Sequence, residues 1–245
     1  MQGNGCLILS YHHIAEAQAR SDLNRFYVTP KNFESQMNYL KKGNFCVLEL
    51  RELVHAIDHK LAIPRRAVVL TFDDGYKSFM LNAKDILASH GFKASIFIAT
   101  AKVGGVDDWD EDGQKVNDNQ IMSWDDIRSL AKAGFSFYSH TANHPRLPDL
   151  TDEAILDELT ISRQALEFQL GQKEHLFCYP FSAFDDRIAR LVKSAGYLCA
   201  CTTLPGINYI DTDVYFLRRI DVLSSDFMAR FIYRIHYYRF CGRRR

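Results

Sequence analysis

Two short segments of this 245-residue chain gather groups able to activate water: Asp73 and Asp74 in Thr71-Phe72-Asp73-Asp74-Gly75, and His140 and His144 in His140-Thr141-Ala142-Asn143-His144. Adjacent carboxylates repel each other and are costly near a core, so a cation, an arginine or solvent must offset them. Two imidazoles and one carboxylate that leave a coordination position open form a catalytic set for a divalent ion. Asp74, His140 and His144 are the expected ligands. Asp73, off the metal, is the expected base toward a water whose pKa the ion brings down to about 7. Taken singly, Asp-Asp-Gly is an ordinary turn and either histidine a packing residue. It is the two pairs together, each at the end of an apolar run, that point to a metal.

Hydrolysis also requires a proton donor for the leaving group and donors to the developing oxyanion. The run Leu-Ile-Leu-Ser-Tyr-His12-His13 ends in two candidate acids. Side chains alternate along a strand, so one of the two faces the site, and periodicity does not say which. Backbone N–H groups after Pro180 are the candidate oxyanion donors.

The elements that must position these groups alternate along the chain. Apolar runs of strand length occupy Leu7–Tyr11, Ala67–Phe72 and residues 94–99, 135–139, 177–179, 198–202 and 216–221. Segments of helical period occupy Pro30–Lys42, residues 76–90, Asp152–Leu170 and residues 184–195. Thr151 is placed to cap the third helix and Gly171 to close it, while Gly91, Gly134 and Gly196 each sit just past a helical segment. This alternation predicts an α/β fold with a parallel sheet, in one domain over 1–245, closed as a barrel with catalytic groups at the C-terminal strand ends. The polar stretch 102–120 is too long for an ordinary connection and is expected to be a surface insertion or a lid.

Thirty basic and thirty acidic residues give a formal net charge of zero, which offers no global field for nucleic acid. The basic aromatic segment from about residue 230, with five arginines from Arg234 onward, is the local exception and suggests peripheral contact with an anionic membrane or glycolipid. The six cysteines show no CxxC pair and read as small core residues. With no basic leader before the first apolar run, the chain reads as cytoplasmic as written, and as exported if a leader was removed.

In combination these motifs resemble the polysaccharide deacetylases of carbohydrate esterase family four, and within it the branch acting on poly-β-1,6-N-acetylglucosamine. Segments 71–75 and 140–144 are similar to the first two family motifs, and Phe-Cys-Tyr-Pro-Phe-Ser-Ala-Phe-Asp at 177–185 and Leu-Arg-Arg-Ile-Asp-Val at 217–222 to later ones. The likeness runs from about Leu7 to Val222. It implies a distorted barrel of about seven strands and zinc or a related ion on Asp74, His140 and His144. It also implies Asp73 as base, the Phe181 N–H as oxyanion donor and, from the order of motifs in this branch, His12 as acid. Where the common third motif carries an arginine that orients the base, this chain has Cys178, and the resemblance offers Arg219 as the substitute. The implied substrate is an N-acetylated sugar, oligosaccharide or glycolipid. Rival readings are a catalytically silent carbohydrate-binding relative and a metal-dependent amidase or O-deacetylase on another substrate.

Overall fold

The computed structural model describes residues 4–16, 25–109 and 119–241. Its centre is a curled parallel sheet of seven strands. They are β1 (Leu7–Tyr11), β5 (Ala67–Phe72), β6 (Ser95–Ile98), β7 (Ser136–Ser139), β8 (Leu176–Cys178), β9 (Cys199–Cys201) and β10 (Ile220–Asp221), in spatial order β10-β1-β5-β6-β7-β8-β9. A further strand, β4 (Cys46–Leu48), pairs with the first half of β5, and β2 (His13–Ile14) pairs with β3 (Tyr27–Val28) in a separate two-stranded sheet. The ends of the sheet are drawn together by one segment. Leu217 bridges to Cys201 of β9, and three residues on, Ile220 pairs with Leu9 of β1. The fold is therefore the distorted barrel that the alternation of elements predicts.

Seven helices surround the sheet, α1 (Pro30–Lys42), α2 (Leu50–Asp58), α3 (Lys84–His90), α4 (Trp124–Lys132), α5 (Asp152–Leu170), α6 (Asp186–Ser194) and α7 (Met228–Cys241) among the described residues, and Leu50, Leu53 and Ile57 of α2 pack with the barrel interior. Thr29 and Thr151 accept hydrogen bonds from the first-turn amides of α1 and α5, and Gly171 ends α5 in the left-handed region. Two expectations are corrected in detail. The helix foreseen over 76–90 begins as a π-helical turn at Phe79–Ala83 before α3, and the last strand shortens to Ile220–Asp221 because Val214–Phe216 coils into a 3₁₀ turn. Strand β4 and helices α2 and α4 are additions to the elements foreseen.

Side-chain alternation sorts each strand into an outer and an inner face. Leu7, Leu9 and Tyr11 of β1 and Val68, Leu70 and Phe72 of β5 face outward with Phe33, Met37 and Phe231 of the helices. Ile8, Val69, Phe97, Tyr138, Cys178, Cys201 and Leu217 fill the barrel instead. Phe177, Tyr179 and Ala200 pack outward with Leu159, Ile188 and Val192 of α5 and α6. Continuing the inner rows toward the C-terminal strand ends leads from Ile8 through Ser10 to His12, from Val69 through Thr71 to Asp73, and from Tyr138 to His140. The barrel itself aims three of the candidate residues at one mouth.

A buried carboxylate lies within the barrel's wall. Glu49 caps α2 by accepting from the Arg51 amide, and its Oε1 accepts from Ser95 Oγ at 2.9 Å and from Tyr138 Oη at 2.8 Å. The C-terminal helix turns much of its charge inward. Arg234 donates to the Asp221 carbonyl at 2.7 Å and pairs with Asp226, and Arg239 donates to the Ala67 carbonyl at 2.7 Å. Two of the five arginines of the basic segment thus bind the protein's own body, and 242–245 lie outside the described residues. No helix among the described residues is long and apolar enough to cross a membrane.

Replacing Glu49 with alanine would strand the Ser95 and Tyr138 hydroxyls and remove the α2 cap. Urea denaturation of Glu49→Ala is expected to show a loss of about 2–4 kcal/mol, with Glu49→Gln recovering a substantial part.

Candidate active site

The turn after β5 carries both aspartates. Asp73 extends the inner row of β5, and its N–H donates to the Tyr11 carbonyl at 2.9 Å. Asp74 then adopts φ +68° and Gly75 φ +72°. A Cβ at Gly75 would stand 2.7 Å from Ile98 Cγ2, so only glycine fits there. Strand alternation would point Asp74 outward; the left-handed step turns it instead to the loop after β7, where the second motif lies.

That loop is held by its own hydroxyls and by α5. Thr141 Oγ1 accepts from the His144 amide at 2.9 Å, while Glu158 of α5 accepts from the amides of Ala142 and Asn143. Thr141 and His144 also have positive φ. Of eight non-glycine residues with positive φ among the described residues, five (Asp74, Thr141, His144, Phe181 and Ser182) belong to the three loops that meet here. Such conformations are unfavourable and persist where the surroundings over-determine them, as at functional sites.

The loops bring Asp74, His140 and His144 to one point. Asp74 Oδ1 lies 3.5 Å from His140 Nε2 and 3.3 Å from His144 Nε2, and all three residues are buried. His140 Nδ1 is 2.8 Å from the Cys178 carbonyl, which can only accept, so Nδ1 carries the proton and Nε2 presents a lone pair. Burial, reinforced by the neighbouring His144, pushes the His140 pKa down to about 4 and keeps the ring neutral. Burial opposes ionisation of Asp74, but His144 and the other nearby imidazoles outweigh it and hold the carboxyl below its usual range. Even so, Asp74 Oδ1 is buried with no hydrogen-bond partner. A buried carboxylate oxygen facing the Nε2 atoms of two histidines is the donor set that a divalent cation satisfies.

A second cluster, Asp73, His140 and Cys178, has similar spacing but different chemistry. Asp73 is already taken. Arg219 Nη1 donates to Asp73 Oδ1 and Nη2 to Oδ2, both at 2.7 Å. Arg219 is itself buried, with Nε donating to the Thr202 carbonyl at 2.9 Å and Nη1 to Thr71 Oγ1 at 3.1 Å. Burial would raise the Asp73 pKa, but the Arg219 charge and its two hydrogen bonds hold it below the usual carboxylate range. Burial pushes the Cys178 thiol well up. Cys178 Sγ lies 3.0 Å from Arg219 Nη2, so the guanidinium fills the space beside Asp73.

The two N-terminal histidines part company. His12 Nε2 is 4.0 Å from Asp73 Oδ2, its side chain 17% exposed, whereas His13 is sandwiched between Tyr76 at 3.7 Å and Tyr27 at 4.2 Å. Burial pushes the His13 pKa down to about 3, so that ring holds no proton to give at neutral pH. Phe181, at φ +56°, sets its half-exposed ring 4.6 Å from that of His144. Trp109, from the 102–120 stretch, lies 4.2 Å from the same imidazole. Of that stretch, residues 110–118 lie outside the described residues; its flanks are tied by Tyr76 Oη to Asp107 Oδ2 at 2.6 Å and by Asn119 to Asp107. Together these groups line a pocket of about 400 Å³ at the barrel mouth. Trp109, Phe26 and Asn119 were not foreseen as site residues. Trp109, in an otherwise polar loop, is the one whose type could have drawn notice.

A barrel with carboxylates and imidazoles gathered at its C-terminal mouth suits water-activating chemistry, and likeness to known proteins identifies the family. The polysaccharide deacetylase family model matches residues 60–200, and the chain belongs to that family. It is 26% identical over 215 residues to YxkH of Bacillus subtilis, spanning 88% of this chain and 70% of that one. It is 23% identical over 250 residues to poly-beta-1,6-N-acetyl-D-glucosamine N-deacetylase of Staphylococcus aureus, spanning 94% of this chain and 83% of that one. Among solved structures it is similar to the Streptococcus pyogenes deacetylase PplD in complex with acetate, with a TM-score of 0.81, 24% identity, and 95% and 99% of the two chains covered. A polysaccharide deacetylase from Bacillus cereus superposes with a TM-score of 0.79 at 25% identity, over 95% of this chain and 69% of that one.

The Arg219–Asp73 pair gives a testable energetic consequence. Arg219→Met leaves a buried carboxylate without its cation, and a loss of about 3–5 kcal/mol is expected near neutral pH. In the wild type the folded pKa is depressed, so this stability is present above the unfolded value near 3.9 and fades as pH falls through the folded value. In the variant burial raises the folded pKa instead, so its deficit against wild type should shrink as pH falls from 7 to 4. Urea titrations at several pH values read this directly.

Proposed function

We propose that the chain is a divalent-metal-dependent hydrolase that removes the acetyl group from an N-acetylated hexosamine in a glycan or glycolipid, releasing acetate and leaving a free amine. The observation that carries the reading is the division of labour between adjacent aspartates: Arg219 engages both oxygens of Asp73, while Asp74 Oδ1 stays unsatisfied between two imidazole nitrogens. Family membership supplies the reaction class.

In this reading Asp74, His140 and His144 hold the ion, zinc by the donor set. When bound, it supplies Lewis acidity to the acetamide carbonyl and to the attacking water. Asp73 accepts the proton of that water, and Arg219 keeps its carboxyl ionised and fixed in orientation. The backbone N–H of Phe181 donates to the oxyanion, its left-handed conformation turning that amide away from the regular path of the chain. His12 gives the proton that lets the amine leave; its rival His13 is held neutral between two tyrosines. The aromatic surfaces of Trp109 and Phe181 suit the apolar face of a sugar ring.

Acetate release from N-acetylglucosamine oligomers is expected from the purified protein, abolished by chelator and restored by zinc. Asp73→Asn should keep its metal by elemental analysis yet lose activity at least 10³-fold, while Asp74→Ala should lose both. Full activity after exhaustive chelation, or unchanged metal content in Asp74→Ala, overturns the assignment.

A further inference from the structure

Arg25 lines the same pocket and has no role in the chemistry just described. Its backbone is anchored, the carbonyl accepting from the Ser224 amide at 2.8 Å, which ties this rim to the turn after β10. Its guanidinium lies over the Phe26 ring at 4.7 Å, and Phe26 in turn lies 4.4 Å from the ring of His12. The cation therefore sits one aromatic ring away from the proposed acid. A guanidinium held over an aromatic ring can still offer N–H donors to a ligand. Among the described residues no carboxylate forms an ion pair with Arg25, whereas the pocket's other arginine, Arg219, is bound to Asp73, and Arg146, above the Phe181 ring, pairs with Asp149 at 3.4 Å. The chain as a whole has no net charge, so any preference for an anionic substrate must come from a local group of this kind.

We propose that Arg25 forms an anion subsite, so that the preferred N-acetylhexosamine unit carries, on itself or on the adjoining sugar, a phosphate ester or a carboxylate. This rests on the deacetylase reading above. The planar fork of Arg25 matches either anion with two parallel hydrogen bonds, and the site lies at the exposed rim, where such an anchor favours the charged substrate by about tenfold at low salt and less as salt is added.

The test uses a β-1,4-linked N-acetylglucosamine tetramer in three forms: neutral, 6-O-phosphorylated and oxidised to the 6-carboxylate. Acetate release by the full chain is expected to show a kcat/KM ratio of charged to neutral substrate near ten, carried by KM. That ratio should fall to about one in Arg25→Gln, below one in Arg25→Glu, and remain mostly intact in Arg25→Lys. The two anionic arms show which acid the site takes. Calorimetric binding of the same tetramers to Asp73→Asn reads the preference without turnover. A binding ratio near ten with no acetate released by the wild type would sink the deacetylase reading and leave the anion subsite standing. Acetate released with charged-to-neutral ratios near one, or a ratio unmoved by Arg25→Gln, overturns the subsite alone.

Discussion

The bidentate pair between Arg219 and Asp73 is the interaction on which the rest of the site depends. Two carboxylates one residue apart cannot both sit ionised in a barrel mouth without compensation, and the structure answers each differently. Asp73 receives a fixed guanidinium on both of its oxygens. Asp74, turned by its left-handed backbone, faces His140 and His144. The same pair accounts for the burial of Arg219, whose other contacts are the Thr202 carbonyl just past β9, Thr71 of β5 and the Cys178 sulfur.

Barrel closure and site assembly are consequently one event. Arg219 lies on the segment that links β9 to β1, between the Leu217 bridge and the Ile220 pairing. It reaches Asp73 only if that segment closes the sheet. Cys178 fits this scheme. Its sulfur abuts Arg219 Nη2 at 3.0 Å, and an arginine at 178 would force two guanidinium groups into one buried space.

Much of this was legible in the sequence. The long strands and helices were visible in their periodicity, and both catalytic pairs stood at strand ends. The choice between His12 and His13 was not, because β1 is buried on both faces and a single serine is a slight mark of which face is inward; the inner row Ile8, Ser10, His12 resolves it. Strand β4 is three residues long, and α2 is opened by a glutamate that caps as part of a box with Glu52, so neither announced itself. Helix α4 did carry a readable signal, the Ser123–Asp126 capping box. Backbone strain at Asp74, Thr141, His144 and Phe181 could not be foreseen, since it is imposed by the loops they belong to. The pairing of Arg219 with Asp73, 146 residues apart, was reached through family resemblance and not through local pattern.

The measurement that bears most directly on the division between the two aspartates is anomalous diffraction from crystals of the wild-type protein grown with zinc. A single ion is expected about 2.0–2.2 Å from a carboxylate oxygen of Asp74 and from Nε2 of His140 and His144, with Asp73 outside its coordination sphere and still paired to Arg219. An ion bound through Asp73 or Cys178 with the Arg219 pair broken, or no ion at this site, would contradict the account.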